Sequence, residues 1–121
     1  MDQQTYLLSW GSNIVGQLDL GYESKYPLIY TPKEIENVGN ILTWTQVVCG
    51  GLHSAALSSN GEVYTWGWGL WGVLGHSDGM SRNEPTKVES LSRERIVKIA
   101  CGSTHTVALT AAGEVFTWYV V

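Results

Sequence analysis

Residues 47–67 read V-V-C-G-G-L-H-S-A-A-L-S-S-N-G-E-V-Y-T-W-G, and residues 99–119 read I-A-C-G-S-T-H-T-V-A-L-T-A-A-G-E-V-F-T-W-Y. Laid one over the other, they need no gap. Cys49 falls on Cys101, His53 on His105, Leu57 on Leu109, Gly61 on Gly113 and Trp66 on Trp118, every pair 52 residues apart. Self-similarity at a fixed period of this size marks a repeat architecture, in which one small unit is copied and stacked. A third, partial copy leads the chain. Leu7-Leu8-Ser9-Trp10-Gly11 matches Val63-Tyr64-Thr65-Trp66-Gly67, and the match runs on to Leu18 and Leu74 with Gly11, Gly16 and Leu18 kept. The offset there is 56. The added residues fall in 19–46, a connecting region where length is tolerated.

Each unit reads as short strands parted by turns. In the second unit, Thr86-Lys87-Val88-Glu89 follows Pro85 as an edge-like strand, since proline cannot donate to a ladder. Ile96–Cys101 is β-branched, Gly102-Ser103-Thr104 reverses the chain, and His105–Thr110 returns. Ala111-Ala112-Gly113 turns again, and Glu114–Trp118 closes the unit. The first unit follows the same plan, with Ser59-Asn60-Gly61 as its hairpin turn; Asn-Gly is a strong hairpin signal. Four antiparallel strands per unit of about 50 residues describe a propeller blade. The strand His53-Ser54-Ala55-Ala56-Leu57 is small-sided, as a middle strand needs when blades stack on both of its faces. A sheet wet on one face shows apolar–polar alternation instead. The expectation is therefore an all-β partial propeller: two four-stranded antiparallel blades plus an N-terminal strand. The units are 1–16 (leading strand and loop), 17–67 and 68–121.

One motif points elsewhere. Gly67-Trp68-Gly69-Leu70-Trp71-Gly72 spells G-x-G-x-x-G after a strand, the form of a dinucleotide-binding turn. The first copy has Asn13 where the second has Gly69. Asn and Gly share a tolerance of positive φ, so the position reads as a left-handed turn residue. Nor does a helix open after it: Val73-Leu74-Gly75-His76-Ser77-Asp78-Gly79 has two glycines and no helical period. These glycines are repeat punctuation.

Composition narrows the function. The 121 residues carry 7 basic and 11 acidic side chains, a net charge of −4, against the basic excess of proteins that live on phosphate contacts. No nucleic-acid partner is expected. Arg93, Arg95 and Lys98, interrupted by Glu94, read as a solvated loop. No apolar run approaches the roughly 20 residues of a membrane span, and no basic-then-apolar leader opens the chain. Cytoplasm or nucleus is the expected compartment, with no membrane partner.

The pattern C-G-x-x-H-[ST]-x-A-L-[ST]-x-x-G-E-V-[YF]-T-W, followed by W-G-x-[NG]-x-x-G-x-L-G, resembles the repeat of the regulator-of-chromosome-condensation family. The resemblance covers nearly the whole chain. It departs from the pattern at Asp19 and Val73 and at the Trp118-Tyr119-Val120-Val121 ending. It implies β-propeller blades, and roles as guanine-nucleotide exchange factor for small GTPases, interaction scaffold, or module of ubiquitin-ligase and ciliary proteins. A light-sensing branch carries tryptophan and arginine in the turn before the histidine. Here those turns are Gly50-Gly51-Leu52-His53 and Gly102-Ser103-Thr104-His105, which disfavours it.

Trp10, Cys49, His53, Gly61, Trp66, Cys101, His105, Gly113 and Trp118 are read as structural repeat positions. C-x3-H is within the reach of zinc chemistry, but equivalent positions in stacked sheets lie about 10 Å apart. That argues against a shared tetrahedral site and against a Cys49–Cys101 disulfide. The expected roles are an imidazole bonding the turn backbone and a thiol filling a small core space. No metal, cofactor or catalytic residue is expected. Trp68, Leu70 and Trp71 replace Ser12, Ile14 and Val15 of the first copy, so these loop residues either meet a partner or cover a blade edge. His76 and Asp78 join them as candidate partner contacts, with turn capping as the plainer role for Asp78. The expected partners are proteins: a small GTPase, a larger assembly or copies of the chain itself, because two blades leave apolar faces uncovered. An interaction module is the leading expectation and a guanine-nucleotide exchange factor for a Ran-like GTPase the alternative.

Overall fold

The computed structural model describes residues 7–12, 28–35, 43–67, 74–78 and 80–119. Nine strands follow in chain order: β1 Leu7–Ser12, β2 Leu28–Ile35, β3 Trp44–Cys49, β4 His53–Ser58, β5 Val63–Gly67, β6 Arg82–Lys87, β7 Ile96–Cys101, β8 His105–Thr110 and β9 Val115–Tyr119. They form three antiparallel meanders, β1-β2, β3-β4-β5-β6 and β7-β8-β9.

The repeat of sequence is a repeat of register. Cys49 pairs with Ser54 and Ala56 with Tyr64; Cys101 pairs with Thr106 and Ala108 with Phe116. Even the irregularities recur. The ladder slips between Trp44 and Gln46 and again between Ile96 and Lys98, so Thr45 and Val97 are each an extra residue on their strand. It slips between Ser9 and Gly11, and between Thr65 and Gly67, where Pro32 and Pro85 lie on the facing strand. Proline has no N–H to lose at an interruption of the ladder, so it fits these places.

Strand membership differs from expectation in one respect. The edge strand expected over Thr86–Glu89 as the first member of the second unit runs Arg82–Lys87 and is the outer member of the first sheet. Tyr64 pairs with Lys87, and the Val88 N–H continues the contact to the Val63 carbonyl at 2.8 Å. β5 has an open edge beside a segment that returns antiparallel to it, and pairing nearest in space prevails over the sequence period. A 3-10 turn, Glu89–Leu91, then carries the chain across. The described sheets hence hold two, four and three strands, and the sheets do not end where the sequence repeat ends.

Both hairpin turns are built alike. The Ser58 N–H donates to Glu62 O at 2.9 Å, and the Gly61 N–H to Ser58 O at 3.0 Å. Thr110, Glu114 and Gly113 repeat this at 2.8 and 3.0 Å. Ser58 Oγ and Thr110 Oγ1 each accept from the N–H four residues on. Within these two turns positive φ is confined to the glycines, +81° at Gly61 and +88° at Gly113. Asn60 is not left-handed, so this is the three-residue loop ending in a left-handed glycine, not the two-residue Asn-Gly turn. Ala112, at the place of Asn60, explains the choice: alanine resists the left-handed region that the shorter turn demands.

The core lies between sheets. Ala55, Leu57 and Val63 of the first pack with Ile96, Ile99 and Ala108 of the second, and Val88 and Leu91 fill the crossing. The opposite face of the first sheet buries Ala56 and Trp66, with Trp44 against them. Every residue of β4 is buried, whereas along β8 buried residues alternate with exposed His105 and half-buried Val107 and Leu109. β4 is covered on both sides; β8 is covered on the side that faces the first sheet.

Gly61 and Gly113 share a φ but not surroundings. A Cβ on Gly61 would lie 3.0 Å from Arg95 Cγ and 3.2 Å from the Ile96 nitrogen, whereas one on Gly113 meets nothing within 4 Å. In denaturant titration, Gly113→Ala should cost about 1 kcal/mol, the left-handed penalty alone. Gly61→Ala should cost about 2 kcal/mol or more, because the added methyl also presses on the second sheet.

Candidate functional site

The C-G-x-x-H turn shapes the seam between sheets. At Gly50 the N–H donates to the His53 carbonyl at 2.8 Å, and at Gly102 to the His105 carbonyl at 2.9 Å. Each ring folds back over its glycine, where an added Cβ would overlap the imidazole. That overlap is why glycine stands three residues before each histidine. The expected bond from imidazole to turn backbone is replaced by something longer in reach. His53, 2% exposed, places Nε2 3.0 Å from Thr106 Oγ1 in the second sheet. Burial, and then the nearby His105, hold the His53 pKa below its ordinary value. His53 is therefore a neutral bridge between sheets.

Thr106 follows His105 as Ser54 follows His53, so each unit carries an imidazole and a hydroxyl side by side. Within a sheet, Ser54 Oγ points to Cys49 Sγ at 3.8 Å. The core role expected of both thiols holds only in part: Cys49 is exposed, and Cys101 is half-buried against the core. Burial pushes the Cys101 thiol up to about 11, opposite to the direction an activated nucleophile needs. Among the described residues no three His, Cys, Asp or Glu side chains gather as metal ligands.

A second bridge was invisible to the repeat. Gln46 Nε2 donates to the Ile99 carbonyl at 2.8 Å, and Gln46 Oε1 accepts the Ile99 N–H at 2.9 Å. β7 is an edge strand whose backbone groups need partners. The Gln46 amide stands in for a missing strand by meeting both. The equivalent position in the second copy is Lys98, which is exposed, so periodicity gave no reason to single out Gln46. Two backbone bonds complete the seam: Gly51 N–H to Ser103 O, and Ile96 N–H to Gly61 O, both 3.1 Å.

The loop after β5 carries the predicted contact residues. Trp68, Leu70 and Trp71 lie outside the described residues. His76 and Asp78 are placed, close in sequence but engaged separately. Thr65 Oγ1 donates to the Leu74 carbonyl at 2.6 Å, so it receives from His76 Nε2 at 2.9 Å. Burial and Arg82 together hold His76 below its ordinary pKa. Asp78 accepts the Met80 N–H at 2.9 Å, an Asx turn, and pairs with Arg82 at 2.5 Å. That arginine, first, and the Met80 N–H hold the Asp78 carboxyl low. Met80 beside them is 63% exposed. Of the repeat tryptophans with described side chains, Trp66 is 2% exposed, and Trp118 packs on Gly75 with its indole nitrogen buried without an acceptor among the described residues. For Trp10 only the strand position is described.

Two antiparallel sheets stacked face to face, tied by His53 of the recurring turn and by Gln46, define a segment of a β-propeller. Two consecutive stretches, 6–57 and 60–109, match the family model described as the Regulator of chromosome condensation (RCC1) repeat. The chain belongs to the RCC1 repeat family. It is similar to the human "Probable E3 ubiquitin-protein ligase HERC3", 42% identical over 91% of this chain and 10% of that one. It is also similar to the Caenorhabditis elegans "X-linked retinitis pigmentosa GTPase regulator homolog", 36% identical over 90% of this chain and 8% of that one. The chain thus spans about a tenth of the length of these relatives. Among solved structures it resembles yeast RCC1 (Prp20) bound to Kap60, with TM-score 0.82 at 26% identity, over 94% of this chain and 28% of that one. Human WBSCR16 follows at TM-score 0.77 and 27% identity, over 94% and 29% of the two chains.

Two outcomes test the seam. Gln46→Ala should lower stability by about 2 kcal/mol, the worth of two partly buried hydrogen bonds. Gln46→Lys should not restore it, since an ammonium offers no acceptor to the Ile99 N–H. Both are read by urea denaturation. The second concerns pH. His53 and His76 have folded pKa values below their ordinary 6.5, so the unfolded chain binds more protons in acid. Their contribution is present above about pH 6.5 and is lost as pH falls below it. Urea midpoints at about pH 7.5 and about pH 5.5 should show that fall, and His53→Gln should flatten part of it.

Proposed function

We propose that this chain is a non-enzymatic protein-interaction module, a stretch of RCC1-type propeller that docks its open sheet face in a larger assembly or against copies of itself. The observation that carries this reading is a contrast between identical repeat positions. Val63 is 2% exposed and Val115 is 60%; Ile99 is 2% and Val47 is 45%. Buried His53 has an exposed counterpart in His105. Matching repeat positions are core where a sheet lies against them and surface where, among the described residues, none does. Apolar surface repeated in this way is what association covers.

The ligase names of the relatives belong to proteins about ten times as long. In this reading the chain supplies recognition, and its half-buried Cys101 thiol, pushed up to about 11, is unsuited to carry a covalent step. A guanine-nucleotide exchange factor for a Ran-like GTPase is the second reading. Its support is likeness to Prp20p, whose structure was described with its binding properties to Gsp1p and histones, at TM-score 0.82 and 25% identity. That likeness spans 29% of Prp20p, which leaves little surface to grip a GTPase.

Two measurements separate the readings. Light scattering at micromolar protein should give a mass above the 13.3 kDa of one chain. Release of a fluorescent guanine nucleotide from a Ran-like GTPase should not be accelerated. Fast release would place exchange first, and a stable soluble monomer would remove self-association.

A further inference from the structure

Asn60-Gly61 is the one Asn-Gly pair in the chain. Asn60 is exposed at the tip of the β4–β5 hairpin, while Gly61 behind it is buried. Glycine has no Cβ to hinder the approach of its own backbone nitrogen to the carbonyl carbon of a preceding asparagine side chain. The Gly61 carbonyl holds the Ile96 N–H at 3.1 Å, and its Cα faces Arg95. The most reactive amide sequence of the chain therefore sits on a contact between sheets. The companion turn, Ala111-Ala112-Gly113, has the same hydrogen bonds but neither the amide nor any atom within 4 Å of a Cβ on Gly113.

We propose that Asn60 is a site of spontaneous deamidation, and that its isoaspartyl product unpins the first sheet from the second. The Gly61 nitrogen, its proton taken by hydroxide, bonds to Cγ of Asn60. The bond from Cγ to the side-chain nitrogen breaks, and ammonia leaves with a proton from water. Water then opens the five-membered imide at either carbonyl, leaving aspartate or isoaspartate. No electrons are transferred. The Gly61 N–H is held by Ser58 O at 3.0 Å and must come free first, so turn opening gates the reaction. The two products differ in consequence. Aspartate keeps the main-chain length and the seam. Isoaspartate adds a methylene to the main chain beside Gly61, where even an added Cβ would lie 3.0 Å from Arg95 Cγ and 3.2 Å from the Ile96 nitrogen.

The test is incubation of the folded chain at mildly alkaline pH, followed by peptide mapping and an isoaspartyl methyltransferase assay. Asn60 is expected to convert before Asn13, Asn37, Asn40 and Asn83, and Asn60→Ala to abolish that signal. The separated isoaspartyl form should show about tenfold faster hydrogen exchange at the Ile96 amide, while Asn60→Asp keeps the parent rate. Conversion at Asn60 no faster than at the other asparagines overturns the site. Ile96 protection equal in the isoaspartyl and parent forms overturns its effect on the seam.

Discussion

Face-to-face burial between neighbouring sheets is the constraint on which the rest of this structure depends. No described sheet has an interior of its own. Its apolar residues become a core only when a second sheet lies within van der Waals reach, as Ala55, Leu57 and Val63 meet Ile96, Ile99 and Ala108. The wholly buried alanines Ala55 and Ala108 mark how close the approach is. Larger side chains there would hold the sheets apart.

Stacking of this kind is non-directional, and polar groups supply the direction. His53 reaches Thr106, Gln46 reaches both backbone groups of Ile99, and the turn backbone at Gly51 and Gly61 reaches Ser103 and Ile96. Each bond lies at a different height along the seam, so together they set rotation and register where hydrophobic contact alone would permit sliding. The same arrangement ties the seam to solution conditions. A neutral buried imidazole and a turn with a reactive amide are both parts that chemistry in water can change.

The loop after β5 shows where sequence reasoning works and where it stops. Asp78 reads as a turn cap from its neighbours, and the Asx bond to the Met80 N–H bears that out; its pairing with Arg82 adds a clamp that spacing alone did not announce. His76, a candidate partner contact beside Asp78, is half-buried on Thr65. Nothing local signals that Thr65, nine residues before Leu74, bends back to receive it. Arg82 and Gln46 went unmarked for the same reason: each acts in one copy only, and a repeat highlights what is shared.

The sequence by itself determined the period, the order of strands and turns, the turns that require glycine, and the histidine that closes each C-G-x-x-H turn. These are local: backbone sterics at Gly61 and Gly113, and the fold of an imidazole over Gly50 and Gly102, operate within a few residues. Only the tertiary structure decided that Arg82–Lys87 completes the first sheet, that Gln46 closes the β7 edge, and that Val63 is core where Val115 is surface. Those outcomes turn on which sheet lies alongside, and two similar stretches of chain carry no record of their neighbours.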